Sequence, residues 1–367
     1  MKFSCSREEF LNKLNIVTKA ISPRSTLPIL QSVLITAKGK SVTLTATDLE
    51  LGMESVKIPA KVTEAGSIAL ESRMFLEIIR KFSGDTVLLE TDKNFGTDIV
   101  CGLSKFKIMG LSGDEYPALP EVSKKSFIEI SKEDFKDAVK KTYFSVSQDP
   151  SKPILTGELM EISKTDLKVV SVDGFRISCF SMFSNGNKEG SVVIPAKTMN
   201  EVSRILSSDD EDKNMRIYIT ENHVLFELDD VTVISRLISG EFINYENSFP
   251  PEFKTQLTVN RDEIISALER AMLISRDGRK TPVVLTIDDG IMKIESANET
   301  GRVSEEIEVN STGDKLEIAF NPKYLADPIK AMDDDYVTMK FNSALSPCVI
   351  VPGESTDCKY LALPLRM

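Results

Sequence analysis

Histidine is almost missing from this sequence: among 367 residues there is one, His223. Catalytic triads built on histidine and metal sites with several histidines are therefore excluded. No other grouping of residue types predicts a nucleophile or a set of metal ligands, so we expect no catalytic residue, no metal and no cofactor. The sequence does not predict an enzyme.

Signals for disulfides and membranes are missing too. The five cysteines are scattered without a Cys-x-x-Cys pair, which is typical of reduced, buried thiols in a cytosolic protein. The N-terminus MKFSCSREEF is charged where a signal peptide needs an apolar core, and no apolar run approaches membrane-spanning length. We therefore expect a soluble, cytoplasmic protein without membrane association.

The stretch from Lys152 to Phe180 is the clearest structural signal that is present. Apolar and polar residues alternate in it, which predicts strands over Leu155–Ile162, Leu167–Val172 and Phe175–Phe180. Asp173 and Gly174 are expected to form the turn between the second and third of these strands. We expect the aspartate to cap backbone groups there rather than to act as a catalytic acid.

This stretch is repeated along the chain. Related segments begin at Leu27 and, more loosely, at Thr281, and their prolines Pro28, Pro153 and Pro282 lie 125 and 129 residues apart. A period of this length indicates three repeated domains rather than a solenoid.

Each repeat also opens with the same helix signal. Ser6, Ser131 and Asn260 each stand three residues before an acidic residue and ahead of an apolar periodic run. Their spacing is again 125 and 129 residues, so helix and sheet repeat in one register.

A second helix is predicted after each sheet, and more strands follow it. Pro328 inside the third of these helices is expected to kink or shorten it. Basic residues occupy equivalent positions near the starts of the three helices: Arg73, Lys197 and Lys323. Each unit is therefore α+β, with strands outnumbering helices.

Charge is divided unevenly between these elements. The net charge is −11, yet lysine and arginine outnumber acidic residues over the six predicted helices, so the rest of the chain is strongly acidic. This pattern indicates that the helical layer meets a polyanion. An ordinary solvated helical face is the alternative, and charge alone does not separate the two.

Six motifs, spread in order over the whole chain, resemble the bacterial DNA polymerase III β subunits, the β sliding clamps. They are MKFSCSREEF at the start, RSTLPIL at 24–30, TATDLE at 45–50, VDGFRIS at 172–178, FNPKYL at 320–325 and YLALPLRM at the end. The resemblance implies three tandem clamp domains, expected over 1–121, 127–246 and 254–367. It also implies a head-to-tail homodimeric ring with helices lining the hole and antiparallel sheets outside.

By this resemblance the ring encircles double-stranded DNA without sequence preference and gives processivity to the polymerase. Its other expected partners are the clamp loader, replicative and translesion polymerases, and mismatch-repair and other proteins with a clamp-binding motif. The implied DNA contacts are Arg24, Arg73, Gln148, Lys152 and Lys197. Contacts across the dimer joint are implied at Phe106, Ile108, Leu273 and Ile274.

The resemblance also implies one pocket for partner peptides, between the second and third domains and closed by the C-terminal tail. Its implied lining is Leu155, Val172, Gly174, Phe175, Arg176, Ile177, Ile243, Asn321, Tyr324, Leu345, Pro347, Leu361, Ala362, Leu363, Pro364, Leu365, Arg366 and Met367. Two other functions are considered: a DNA-modifying enzyme, for which no catalytic cluster exists, and a monomeric DNA-binding scaffold of repeated domains.

Overall fold

The structure is a computed structural model that describes residues 1–22, 25, 27–206, 213–274, 281–299 and 301–366. Two residues implied above, Arg24 and Met367, lie outside the described residues.

Helices occur twice in each repeat. They are α1 Arg7–Val17, α2 Ser72–Lys81, α3 Lys132–Thr142, α4 Ala196–Ile205, α5 Arg261–Ile274 and α6 Pro322–Ala331. The expected start signals are confirmed at α1 and α5: Ser6 Oγ accepts a hydrogen bond from Glu9 N, and Asn260 Oδ1 accepts from Glu263 N at 3.1 Å. Within the described ranges, no helix is long and apolar enough to cross a membrane.

Of the two effects expected of Pro328, a kink or a shorter helix, the shortening does not occur. α6 has ten residues, as many as α2 and α4, with Pro328 inside it and buried. A proline removes only one backbone hydrogen bond. The buried side chains of Leu325, before Pro328, and Ile329, after it, hold both parts of α6 in place.

Strands outnumber helices in each repeat. In the first they are β1 Lys2–Ser6, β2 Ser32–Lys38, β3 Ser41–Thr47, β4 Leu51–Ser55, β5 Ile58–Glu64, β6 Gly66–Glu71, β7 Thr86–Thr91, β8 Gly96–Cys101, β9 Ser104–Met109 and β10 Leu111–Ser112. In the second they are β11 Phe127–Ser131, β12 Gly157–Ile162, β13 Asp166–Val172, β14 Arg176–Phe183, β15 Asn185–Gly186, β16 Gly190–Pro195, β17 Asn214–Ile219, β18 His223–Glu227 and β19 Val231–Arg236. In the third they are β20 Thr255–Asn260, β21 Val283–Asp288, β22 Ile291–Asn298, β23 Gly301–Glu308, β24 Asn310–Gly313, β25 Leu316–Phe320, β26 Tyr336–Phe341, β27 Cys348–Pro352 and β28 Cys358–Ala362.

Two predicted strand boundaries need correction. Leu155 lies in a 3-10 turn, Pro153–Thr156, because proline lacks the N–H that a strand would use and its fixed φ suits the start of a helical turn. Phe175 lies in the turn before β14, held there by Asp173, whose Oδ1 accepts from Phe175 N at 2.8 Å. Asp48 Oδ1 accepts the equivalent bond from Glu50 N at 3.2 Å and a second one from Leu51 N at 2.8 Å, so the expected capping role of the repeated aspartates is confirmed.

The chain folds into two compact units. The first comprises Met1–Glu133, Asn185–Lys188 and Asn200–Leu237. It contains a fifteen-stranded sheet whose main path runs β15-β11-β17-β18-β19-β4-β3-β5-β1-β7-β8-β9, with β2, β6 and β10 off this path. Against it, Phe10 of α1 meets Phe75 of α2 edge to face, with the ring centroids 5.9 Å apart.

The second unit comprises Asp134–Ser184, Glu189–Met199 and Ile238–Met367. It contains a nine-stranded sheet, β16-β12-β13-β14-β28-β27-β26-β20-β24, and a four-stranded sheet, β23-β22-β21-β25. Helix α5 packs against α6 and against strands β22 and β23 of the smaller sheet.

Successive repeats are joined by the same kind of strand pair. β19 of the second repeat pairs antiparallel with β4 of the first, with Val233 opposite Met53. β28 of the third repeat pairs antiparallel with β14 of the second, with Tyr360 opposite Ser178. All four of these side chains are buried, so each joint continues both the sheet and the core.

Each joint also contains a buried lysine paired with an aspartate from the last hairpin of the following repeat. In the first unit, Lys13 of α1 pairs with Asp230 in the β18–β19 turn. In the second, Lys141 of α3 pairs with Asp357 just before β28, at 2.8 Å. Lys141 also lies 3.4 Å from Asp333 of the third repeat, whereas removal of Asp230 would leave the buried charge of Lys13 without its ion pair. Both lysines thus favour the observed joint, since a buried charge needs a partner.

The five cysteines are free and buried, as expected. A less common feature of the core is Glu158 on β12, which is completely buried. Its Oε1 accepts from Thr142 Oγ1 at 2.6 Å and from Ser171 Oγ at 3.0 Å, whereas Oε2 has no hydrogen-bond partner among the described residues. Burial raises the pKa of the Glu158 carboxyl from 4.5 to about 7, although both hydroxyls act in the opposite direction.

Glu158→Gln is expected to remove a pH dependence of stability. Because its pKa is raised in the folded state, the native protein keeps a proton that the unfolded chain loses, and the free energy of unfolding falls as the pH rises from 4.5 through 7. The full effect is about 3 kcal/mol, at 1.36 kcal/mol for each pKa unit. From about pH 4 to about pH 9, the free energy of unfolding of the variant, measured with urea, should therefore rise relative to that of the wild type by roughly this amount.

Glu121→Gln, at an exposed position, is the matched control for this change. Its free energy of unfolding should differ from that of the wild type by the same amount at both pH values. If the difference between Glu158→Gln and the wild type is also the same at both pH values, the carboxyl has the same pKa in the folded and unfolded states.

Candidate partner-binding pocket

A group of buried apolar side chains in the second unit forms the floor of the candidate pocket. Leu155, Val172, Ile177 and Leu361 all belong to it, each at most 6 % exposed. They come from the 3-10 turn, the facing ends of β13 and β14, and β28, which is why residues far apart in sequence meet. The other buried members are Leu159, Val170, Cys179, Val193 and Tyr245, and Phe242 and Phe249 pack against them.

The turn between β13 and β14 forms one rim. Gly174 has φ +92°, a conformation that strains any residue with a Cβ, so glycine is required at this position. Phe175 projects from the turn, 49 % exposed, and stacks on Tyr324 of α6 with centroids 6.1 Å apart and planes at 21°. Two aromatic rings thus stand at the mouth of the apolar floor.

Arg176 is not a free rim residue, although its position suggested one. Its Nε donates to Asp173 Oδ2 at 2.9 Å, its Nη1 to Asp327 Oδ2 at 2.7 Å, and its Nη2 to the carbonyl oxygen of Phe144. The guanidinium carbon also lies 4.9 Å from the centroid of the Tyr324 ring. With 8 % exposure, Arg176 acts as a positioning residue that ties the turn to α6.

The C-terminal tail lies against this rim. β28 ends at Ala362, and beyond it Leu363 N donates to the carbonyl of Phe175 at 2.8 Å while Leu365 N donates to that of Ala319 at 2.8 Å. Leu363 is 36 % exposed, so the tail is fixed by its backbone and leaves part of its apolar surface open. Pro364 and Leu365 are half-buried and Arg366 is exposed.

The remaining implied pocket residues also lie in the second unit. Ile243 and Leu345 are exposed apolar side chains, at 42 % and 74 %, and Pro347 is half-buried. Asn321 Oδ1 accepts from Lys323 N at 3.1 Å, so this side chain caps α6. Exposed apolar residues beside an apolar floor are what an extended peptide with a few anchors needs.

The implied DNA contacts are all exposed where the structure describes them. Arg73 and Lys197 are the second residues of α2 and α4, and Lys323 has the same place in α6. Gln148 and Lys152 lie on one loop, where Asp149 Oδ1 accepts from Ser151 N at 3.0 Å.

The implied dimer-joint residues differ in exposure. Phe106 is 46 % exposed and lies edge-on to Phe82, and Leu273 is 56 % exposed at the end of α5. Ile274 is half-buried, whereas Ile108 is 8 % exposed because its own chain already covers it.

Sequence reasoning missed Asp327, the second carboxylate on Arg176. It lies 151 residues away in the chain, and nothing in the repeat pattern marks it. It also missed Phe249 and Lys359, whose ammonium group lies 3.9 Å from the centroid of the Phe249 ring. The only signal available for Phe249 was an aromatic residue directly before two prolines, Pro250 and Pro251.

Three repeats of one α+β unit, joined edge to edge and carrying a pocket beside the last joint, define the class of three-domain clamp proteins. Models of the DNA polymerase III beta subunit match the chain in three parts: the N-terminal domain at residues 1–120, the central domain at 129–244 and the C-terminal domain at 246–366.

Known proteins similar to this chain carry the same description. The beta sliding clamp of Staphylococcus epidermidis is 36% identical over 377 residues, covering 100% of this chain and 99% of the relative. That of Staphylococcus aureus is 34% identical with the same coverage. The solved DNA polymerase sliding clamp of Bacillus subtilis superposes with a TM-score of 0.96 at 32% identity, covering 100% of this chain and 99% of that one.

The chain belongs to the DNA polymerase III beta subunit family and is a DNA sliding clamp. The expected family and the expected fold of three tandem clamp domains are both confirmed. Members of this family are processivity factors of DNA polymerase III, which implies DNA and a polymerase as partners.

Proposed function

We propose that two copies of this chain close head to tail into a ring around duplex DNA and tether the polymerase to its template without an active site of their own. Strands β9 and β23 carry this proposal, because each is the end strand of its sheet and has one side unpaired among the residues that the structure describes. An exposed strand edge invites pairing with another chain.

The two joints within the chain predict how these edges pair. Counting along the hairpins, Phe106 of β9 is equivalent to Val233 of β19 and Tyr360 of β28. Val303 of β23 is in turn equivalent to Met53 of β4 and to Ser178 of β14.

A third joint in the same register puts Phe106 of one copy opposite Val303 of the other. It would bury Phe106, now 46 % exposed, in the way that the two internal joints bury their equivalent residues. Such a head-to-tail contact closes after two chains, since each then supplies three repeats to a six-domain circle.

DNA contact is proposed to be electrostatic and independent of sequence. Arg73, Lys197 and their equivalent Lys323 present a cation at the start of the second helix in every repeat. Gln148 and Lys152, and Arg24 by resemblance, would add contacts to phosphate. Contacts of this kind hold the ring on DNA without fixing its position along the duplex.

The pocket is proposed to bind short extended peptides of the clamp loader, of replicative and translesion polymerases, and of mismatch-repair and other clamp-binding proteins. Its apolar floor would take one or two anchors, and the aromatic pair with the tail would enclose them. Sharing one pocket per chain would make these partners compete.

We propose domain limits of 1–121, 127–246 and 254–367, and action in the cytoplasm, where the bacterial chromosome is replicated.

Retention on DNA should depend on topology. Protein loaded by the clamp loader on a nicked circular plasmid is expected to co-elute with the DNA on gel filtration and to be released when one restriction cut linearises the plasmid. A closed ring stays on circular DNA because it encircles the duplex, and it leaves linear DNA by sliding off an end. A monomeric scaffold would instead dissociate equally from both forms, because only its affinity holds it on DNA.

Blocking both ends of the linear DNA with bulky end-bound protein is the control and should restore retention. Equal loss from circular and linear DNA would reject the ring and favour the monomeric scaffold.

A further inference from the structure

A second cleft adjoins the apolar floor of the pocket on the same face of the nine-stranded sheet. Its volume is about 360 Å³, and its walls include Lys168, Tyr245, Phe249 and Lys359. Tyr245 and Phe249 belong to both places, because they also pack into the buried cluster that forms the pocket floor. The cleft is therefore a continuation of the pocket and not a separate site.

The two lysines of the cleft differ in whether their charge is already compensated. Lys168 Nζ lies 3.3 Å from Glu246 Oε1 and 3.7 Å from Glu161 Oε2. Among the described residues no carboxylate lies within ion-pair distance of Lys359, although Glu246 acts on its charge from farther away; its ammonium group lies over the Phe249 ring, 3.9 Å from the centroid.

The surroundings of Lys359 disfavour its charge. Partial burial is the largest contribution and lowers the pKa of Lys359, and the nearby charges of Lys340 and Lys168 lower it further. Cys179 and Glu246 act in the opposite direction without cancelling these effects. A carboxylate brought to this position would relieve both effects, because it supplies the opposite charge in a partly desolvated cleft.

The strand register gives the distance between the cleft and the pocket floor. Ile177 pairs with Leu361 in the floor, and two positions along the same strands Cys179 pairs with Lys359. Two residues of strand span roughly 6.8 Å, which is also two residues of an extended peptide lying along the sheet.

We infer that Lys359 receives an acidic side chain of the partner peptide, two residues from the anchor that covers Ile177 and Leu361. This inference rests on the peptide pocket of the proposed function. It adds a charged element to recognition that is otherwise apolar, and such elements set specificity more than affinity.

The test uses the full-length protein and short synthetic peptides with Leu and Phe anchors in a Gly-Ser frame. A single Glu is moved through the positions on both sides of the anchors, and each peptide is compared with its Gln counterpart by calorimetric titration. We expect Glu to tighten binding about three- to ten-fold at one position only, and less so at high salt.

Variants of the protein identify the responsible group. Lys359→Met should abolish the preference for Glu over Gln, Lys359→Arg should keep it, and the exposed Lys61→Met, which makes the same change in net charge, should leave it unaltered. Circular dichroism confirms that each variant is folded.

A Glu preference that survives Lys359→Met would overturn the assignment. Binding of all peptides without any Glu preference would reject the acidic subsite and leave the pocket standing. Failure of every peptide to bind would reject the pocket, and the subsite with it.

Discussion

Phe106→Asp is expected to turn the dimer into a monomer at micromolar concentration. In the proposed joint Phe106 becomes core, so the substitution removes a buried aromatic ring and places a charge opposite Val303 of the second copy. Burial of the Phe106 side chain alone contributes roughly 3–5 kcal/mol to association at each joint. Because a closed dimer contains two joints, its dissociation constant should rise about ten-thousandfold or more, which sedimentation equilibrium measures.

Met109→Asp is the matched control. Met109 is 66 % exposed, and it lies on the same strand as Phe106 but on its opposite face, so this variant should remain dimeric. A dimeric Phe106→Asp protein would place the joint elsewhere.

The register itself is tested by cross-linking. Phe106→Cys combined with Val303→Cys should form a disulfide between copies on mild oxidation, because directly opposite residues have Cα atoms about 4.5–5.5 Å apart, within the Cα separation of disulfides. The native cysteines are buried and should not compete. Lys105→Cys with Val303→Cys, whose side chains point to opposite faces of the joint, should remain unlinked.

Deleting residues 363–367 is expected to abolish binding of loader and polymerase together. The deletion removes the two backbone hydrogen bonds that hold the tail, from Leu363 to Phe175 and from Leu365 to Ala319, and with them one side of the pocket. Losing an enclosed anchor site of this kind costs at least about 2 kcal/mol, or roughly thirty-fold in affinity. Titration of a polymerase C-terminal peptide against the intact and shortened proteins measures the loss.

Strand β28 ends at Ala362, so the shortened chain keeps the joint between β28 and β14 and should remain folded and dimeric. Sedimentation provides this control. Retention of the intact protein's affinity would assign the tail to ordinary packing.

Local signals in the sequence were sufficient for the repeat and its elements. Ser6 and Asn260 mark helix starts because a capping side chain bonds to backbone only two or three residues away. Asp48 and Asp173 mark turns for the same reason. The boundary errors at Leu155 and Phe175 are also local: alternation continues into turn residues, and only hydrogen bonding ends the strand.

What the sequence by itself determined, then, is the α+β unit, its threefold repetition and membership of the clamp family, since each depends on short-range patterns written three times. The tertiary structure alone decided that Arg176 is held by Asp327 and that, among the described residues, no carboxylate forms an ion pair with Lys359. It also decided which strand edges stay open. Partners of this kind lie more than a hundred residues apart, and their pairing depends on the packing of whole repeats, for which a single sequence carries no local signal.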